Sequence, residues 1–384
     1  MFKKIESFFD SFYNAPVSIP AGIYLYQAPP ESDLPYKLHL RVEPDGCGIL
    51  IINASTVLHL NQTAAEFAYH LMQGRDKVAA ASTVAERYKI PPETAQKDLD
   101  EFLAKIDALV KSEDVDPVAY FEMERVAPYS QKISAPYRLD CALTYRVSDG
   151  TASSVAPTER VSRELSTEEW KALLKNAWEA GIPHVIFTGG EPTLREDLPE
   201  LISEAEKLGL VSGLLTDGHK LAEKKYTMDL LKRGLDHILL LVDDGSKQFW
   251  NALKVLMPLD IAVSVHVTLT HDNCKDFARL LEKIARTGVK NISLSASESG
   301  LGDDLAKASH KAAELGLTQV WDLPVPYSAF HPVALELAGE EAPQGAGKAW
   351  LYVEPDGDVL PAQGVNHLLG NLLSDPWRKI WKHR

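Results

Sequence analysis

The sequence predicts an α/β protein: a partial parallel barrel of six βα units, (β/α)6, behind a small winged-helix-like α+β domain and ahead of a short C-terminal extension. Three observations support this. Strand-like segments at 137–145, 184–188, 211–216, 237–242, 262–269 and 291–296 alternate with helical patterns, the rhythm of a parallel sheet with crossover helices. Along 262–269, Val263, Val265 and Val267 share one face and Ser264, His266 and Thr268 the other, so that apolar residues would meet helices and polar ones would line the interior. Before residue 113, turn chemistry and helical spacing mark a separate unit.

In chain order, residues 1–35 read as an arm. Phe2, Ile5, Phe8, Phe9 and Phe12 fall on one helical face beside Lys3 and Lys4, the pattern of an arm packed on its own domain or of an interfacial or partner-docking helix. Residues 36–112 carry two or three strands, including 38–42 and 49–52 joined through the turn Glu43-Pro44-Asp45-Gly46, and then three helices. Residues 113–135, with Asp114, Asp116, Pro117 and Pro128, read as a linker. The barrel follows over 136–325. Ser166 with Glu169 forms a capping-box pattern ahead of the stripe Trp170, Leu173, Leu174, Ala177 and Trp178. Asp197 is placed to cap the next helix, which has Pro199 in its first turn and stops at Gly209. In the extension 326–384, Asp356-Gly357 is a hairpin signal, and Trp377 and Trp381 are placed to close the barrel end.

A formal charge of −14 and a pI near 5.4 disfavour nucleic acid, whose binding rests on Lys and Arg neutralising phosphates. Cys47, Cys141 and Cys274 form no CxxC pair, so neither a disulfide framework nor a zinc finger is indicated, and a reducing cytoplasm is the expected setting. No run reaches the ~18–20 apolar residues of a membrane span, and no signal-type apolar core with a small-residue cleavage site opens the chain.

Phe187-Thr188-Gly189-Gly190-Glu191-Pro192-Thr193-Leu194-Arg195, placed after the second barrel strand, resembles the S-adenosylmethionine-binding turn of the radical-SAM superfamily. The likeness extends to Thr216-Asp217-Gly218 after the third strand, where that family commonly has Thr-Asn-Gly, and to Val242-Asp243-Asp244-Gly245 after the fourth. It implies a possible S-adenosylmethionine pocket at Gly189, Gly190, Glu191, Pro192, Thr216 and Asp217, in which glycines admit the ligand to the backbone and an acceptor receives its ammonium. Residues 351–372 with Trp377 and Trp381 resemble the SPASM or twitch extension, and the segment from Gly48 to Leu99 resembles a PqqD-like peptide-recognition domain, which implies a leader peptide bound as an added strand.

The cluster ligands of that family are missing. Val147, Thr151 and Ser154 stand where three cysteines would hold a four-iron cluster, and Pro361-Ala362 stands where the extension has Pro-Cys. Valine has no donor atom and neutral hydroxyls replace soft thiolates poorly, so no iron–sulfur cluster is expected. Cys141 lies within the first strand, out of spacing. Glu191, Asp217, Asp243 and Asp244 all follow strands and would gather at a barrel mouth, where they could hold a cation or a charged ligand or serve as helix caps and solvated loop charges; His266 reads more simply as a satisfied core residue. No catalytic residue is assigned. The leading expectation is a cluster-free radical-SAM homologue that binds a peptide or protein substrate and presents it to an active radical-SAM partner. The alternatives are an enzyme doing non-radical chemistry on S-adenosylmethionine or another small ligand, and a redox subunit using a partner's cluster.

Overall fold

The turn at Glu43-Pro44-Asp45-Gly46 forms as its chemistry dictates: Gly46 takes φ +83°, a left-handed conformation open to glycine, and Asp45 Oδ1 accepts from the Cys47 amide at 2.9 Å. It joins β2 (Lys37–Val42) to β3 (Gly48–Ile52) in the computed structural model, which describes residues 19–29, 36–53, 56–111, 133–320, 323–328, 331, 333 and 342–382. The arm's Phe2 to Phe12 stripe and most of the 113–135 linker lie outside these residues. Two units, Met1–Ala127 and Pro128–Arg384, divide the chain.

The first unit is an antiparallel sheet in the order β1-β2-β3-β4, with β1 at Gly22–Gln27 and β4 at Thr56–Leu60, followed by α1 (Gln62–Met72), α2 (Lys77–Tyr88) and α3 (Pro92–Lys111). β1 falls in the stretch read as an arm, so the sheet has one strand more than the sequence suggested. Its residues are nearly all half-buried, which leaves no period-two contrast to read. Leu40, Leu50 and Leu58 on consecutive strands pack with Ala65 of α1. Gly48 permits that approach, since a Cβ there would lie 2.8 Å from the Ala65 Cβ.

In the second unit the six expected strands are consecutive and parallel: β5 (Arg138–Thr144), β6 (His184–Gly189), β7 (Val211–Thr216), β8 (His237–Leu241), β9 (Ala262–Leu269) and β10 (Asn291–Ala296). The sheet stays open and extends at both ends. β11 (Thr318–Gln319) adds in parallel to β10. β12 (Trp350–Val353) runs parallel beside β5, and β13 (Asp358–Leu360) and β14 (Gly370–Asn371) continue antiparallel from the Asp356-Gly357 hairpin. The C-terminal extension thus completes the sheet edge next to the first strand.

The alternation in β9 sorts as expected: Val265 and Val267 are buried in the large core under the helices, whereas His266 faces the other way. Helix α4 (Thr167–Ala180) starts with the capping box, Ser166 accepting from the Glu169 amide, and stops at Gly181 in the left-handed region. Its stripe of Trp170, Leu173, Leu174 and Ala177 is fully buried. Helix α5 (Leu198–Leu208) ends at Gly209, φ +84°, as read, but Asp197 makes no side-chain cap. Its carboxylate is held by Arg195 at 2.7 and 2.9 Å and by the Thr167 hydroxyl at 2.6 Å, charge-assisted contacts that outweigh one amide bond.

Trp377 and Trp381 do not close the end of the sheet that carries the loops. Stacked 5.7 Å apart, they donate their indole N–H groups to the carbonyls of Ser134 and Ile133, gripping the lead-in to β5 at its N-terminal end. Among the described residues no helix is long and apolar enough to cross a membrane.

Candidate functional site at the carboxyl ends of the strands

The turn after β6 is sewn to the loop after β5 by backbone bonds. Gly190 N–H donates to the Thr144 carbonyl at 2.8 Å and Glu191 N–H to the Arg146 carbonyl at 2.8 Å, while the Gly189 carbonyl accepts from Tyr327 N–H at 2.7 Å. Both glycines are required by this packing. Gly189 has φ +116°, and a Cβ on it would lie 2.2 Å from the Thr144 oxygen; one on Gly190 would lie 2.2 Å from the Arg146 oxygen. The glycine pair therefore has a structural reason within the chain itself, whatever it binds.

Glu191 is 3% exposed and bridges two turns. Its Oε1 accepts from Thr193 N–H at 2.9 Å, the Thr193 hydroxyl at 2.5 Å and the Thr216 hydroxyl at 2.9 Å, and its Oε2 accepts from Asp217 N–H at 2.8 Å. Burial, and then the nearby Asp217 carboxylate, push its pKa up to about 8 against these donated bonds. Asp217 in turn accepts from the Ser148 hydroxyl at 2.6 Å and from His219 N–H at 2.9 Å. Pro192 opens a short 3-10 turn whose cap is Glu191. Gly189, Gly190, Glu191, Pro192, Thr216 and Asp217 are thus one contiguous site. Thr193 belongs to it by proximity in sequence; Thr144, Ser148 and Tyr327 join it only through tertiary contact, for which the sequence carries no local signal.

The other two acidic residues do not join. Asp243 accepts from Gly245 N–H at 3.0 Å within its own turn, and Asp244 pairs with Lys283, whose ammonium also lies 3.8 Å from the Trp250 ring centroid. The expected gathering of four carboxylates reduces to Glu191 and Asp217, and among the described residues no group of three or more His, Cys, Asp or Glu side chains could hold a metal.

His266 is part of a hydrogen-bonded inner face. Its Nδ1 lies 3.0 Å from the Ser293 hydroxyl and its Nε2 3.0 Å from those of Thr268 and Ser295. His331, which no strand pattern flags, meets the Thr268 hydroxyl at 2.8 Å. Burial holds the pKa of His266 well below its usual value, helped by His331, and takes His331 down to about 4, so both rings are neutral at pH 7. Leu323 packs on Ile186, Leu215 and Leu239 of this face. The 323–331 segment therefore contributes Leu323, Tyr327 and His331 to the inner face.

The loop after β5 is organised without thiolates. Thr151 donates its hydroxyl to Asp149 at 2.6 Å and Ser154 donates to the Thr151 carbonyl at 2.7 Å, while Val147 offers no donor atom. Cys141 is buried in the core under the helices, its thiol pKa pushed well up by burial; Cys274 follows β9, and Cys47 belongs to the other unit. Ala362 is buried beside Ala349 and Trp350. These donors do not fit a four-iron cluster. The loop is instead fastened to the C-terminal hairpin: Tyr145 and Arg160 donate to Glu354 Oε1 at 2.9 and 2.7 Å, and Leu165 N–H donates to the Pro355 carbonyl at 2.8 Å. For S-adenosylmethionine the fit is partial. Both Glu191 oxygens and the Gly189 carbonyl are engaged, but the hydroxyl of Thr188, the residue before Gly189, is buried without a partner.

Residues 141–258 match the model of the Radical SAM superfamily, and residues 46–109 match that of Coenzyme PQQ synthesis protein D (PqqD). The PqqA peptide cyclase of Streptomyces rochei is 28% identical over 278 residues, 65% of this chain and 76% of the relative. Among solved structures, Streptococcus suis SuiB bound to S-adenosylmethionine superposes with a TM-score of 0.57 at 14% identity, covering 90% of this chain and 86% of that one. SuiB bound to its precursor peptide SuiA gives 0.56 at 15% identity over 89% and 86%. At such identities the likeness to these structures is one of fold.

Two outcomes follow from the site. Gly190→Ala should destabilise the ligand-free chain by about 1–3 kcal/mol, read by chemical denaturation, because the clash is with the Arg146 carbonyl. For Glu191, the folded pKa lies above the ordinary 4.5, so between 4.5 and about 8 the folded chain keeps a proton that the unfolded chain has lost. Its contribution to stability falls as pH rises through that window and levels off above it; Glu191→Gln should flatten this part of the stability profile.

Proposed function

We propose that this chain, in which a PqqD domain precedes a radical-SAM domain, is a peptide-binding scaffold without a cluster of its own: it holds a ribosomally made precursor peptide and presents it to an active radical-SAM partner in the cytoplasm. The observation that carries the reading is the loop after β5, where Val147, Thr151 and Ser154 replace thiolates and the two hydroxyls bond locally. Reductive cleavage of S-adenosylmethionine needs an electron from a cluster, and three soft donors are what such a cluster is built on.

Peptide capture is assigned to the edge of β4. That strand ends the described sheet, with β3 as its single strand neighbour, and unlike β1 and β2 it lies inside the PqqD match. An edge of this kind binds an extended segment through backbone bonds, with alternate side chains supplying selectivity. The peptide-bound SuiB neighbour supports a peptide as the class of ligand.

A second reading keeps S-adenosylmethionine or another small ligand at Gly189, Gly190, Glu191, Pro192, Thr216 and Asp217 for non-radical chemistry, and the unpartnered Thr188 hydroxyl favours it.

Calorimetry on the full chain separates the two. On the scaffold reading, synthetic PqqA peptide binds saturably, N-methylating alternate backbone amides of the peptide weakens binding by about tenfold or more, and an anaerobic pull-down retrieves a radical-SAM enzyme. Absence of both peptide and partner would remove that reading. The second reading requires S-adenosylmethionine binding that Glu191→Ala or Thr188→Val abolishes.

A further inference from the structure

Residues 323–328, with His331, lie on the inner face of the second unit without belonging to its sheet. Leu323 and Val325 each precede a proline, which biases them to extended backbone, and Pro324 and Pro326 have no N–H to offer a neighbouring strand. The stretch is therefore held by a few discrete fastenings. The Gln363 side chain takes both backbone groups of Val325: its Oε1 accepts from Val325 N–H at 3.0 Å and its Nε2 donates to the Val325 carbonyl at 2.6 Å. Tyr327 donates its N–H to the Gly189 carbonyl at 2.7 Å and sets its buried ring edge-on to Tyr145, centroids 5.3 Å apart. His331 N–H donates to the Ser328 hydroxyl at 3.0 Å, and the His331 ring meets the Thr268 hydroxyl at 2.8 Å. Leu323 covers Ile186, Leu215 and Leu239.

These contacts are those by which a protein holds an extended peptide. A side-chain amide that engages the N–H and C=O of one residue reads backbone rather than sequence, and the place beside Tyr145 takes an aromatic ring. The fit is incomplete. Thr188 lies two residues on from Ile186 and so on the same face of β6, yet its hydroxyl stays buried without a partner. Every fastening is within the second unit, so the inference does not rest on the assignment of a peptide to β4. We infer that residues 323–328 and His331 act as a releasable strap: closed, it occupies the inner face and the Gly189 carbonyl, and open, it yields them to an extended peptide with an aromatic side chain.

Hydrogen exchange of the full chain in increasing urea, below the unfolding transition, tests this. Exchange over 323–328 should pass through a local opening and hardly change with urea, whereas 211–216 and 263–269 should exchange only as the unit unfolds. Gln363→Glu, which keeps the size but sets an oxygen against the Val325 carbonyl, should speed exchange over 323–328 by about tenfold and leave those strands unchanged. In a chain carrying Leu323→Ala and Tyr327→Ala, folded by circular dichroism, the strap is weakened and Gln363 is kept. A synthetic peptide of residues 323–331 should bind that chain at least about tenfold tighter than the native one. Exchange over 323–328 with the same urea dependence as the strands overturns the inference and makes the stretch part of the core. Peptide binding no tighter to the variant than to the native chain overturns it as well. Binding of PqqA peptide at β4 enters neither readout, so the two readings fail separately.

Discussion

The carboxylate of Glu191 holds the loop end of the second unit together. Buried between two turns, it accepts four hydrogen bonds from Thr193, Thr216 and Asp217, and so fixes the turn after β6 to the turn after β7. Asp217, positioned by that bridge, receives Ser148 from the loop after β5, and the same loop is sewn to Gly190 and Glu191 through their amides. Three loops from three strands become one piece. An unpaired donor buried in such a cluster would cost about 1–3 kcal/mol, which is why the acceptor must be present even with no ligand bound.

This arrangement gives the glycine turn a meaning that does not depend on catalysis. The two glycines make room for the carbonyls of Thr144 and Arg146, and the loop that presses on them is secured to Glu354 and Pro355 of the C-terminal hairpin. This loop is ordered by side-chain and backbone bonds to the hairpin that follows β12. The loop end of the second unit is thus held in shape by bonds within the chain itself.

How far the sequence revealed this depended on whether the signal was local. The six central strands, the capping box at Ser166, the stop at Gly209 and the hairpins at Asp45-Gly46 and Asp356-Gly357 all follow from neighbours in sequence, and all stand in the structure. Non-local features were hidden. β12 is too short to announce that it pairs in parallel with a strand some 200 residues earlier, and β1 has no polar face to set against an apolar one. Asp197 has the chemistry of a cap but sits beside Arg195, and a charge-assisted pair prevails over an amide. At the site, the residues from 189 to 192, 216 and 217 were legible from the motif. Ser148, Tyr327 and His331 were not, because loops deliver them.

Iron and acid-labile sulfide content of the isolated chain after anaerobic reconstitution decides whether the loop after β5 holds a cluster. With Val147, Thr151, Ser154 and Ala362 at the positions that would need thiolates, neither element is expected above background, and no change is expected when Cys141, Cys47 or Cys274 is replaced by alanine. Retention of about four irons and four sulfides per chain, lost on replacing one of those cysteines, would contradict it.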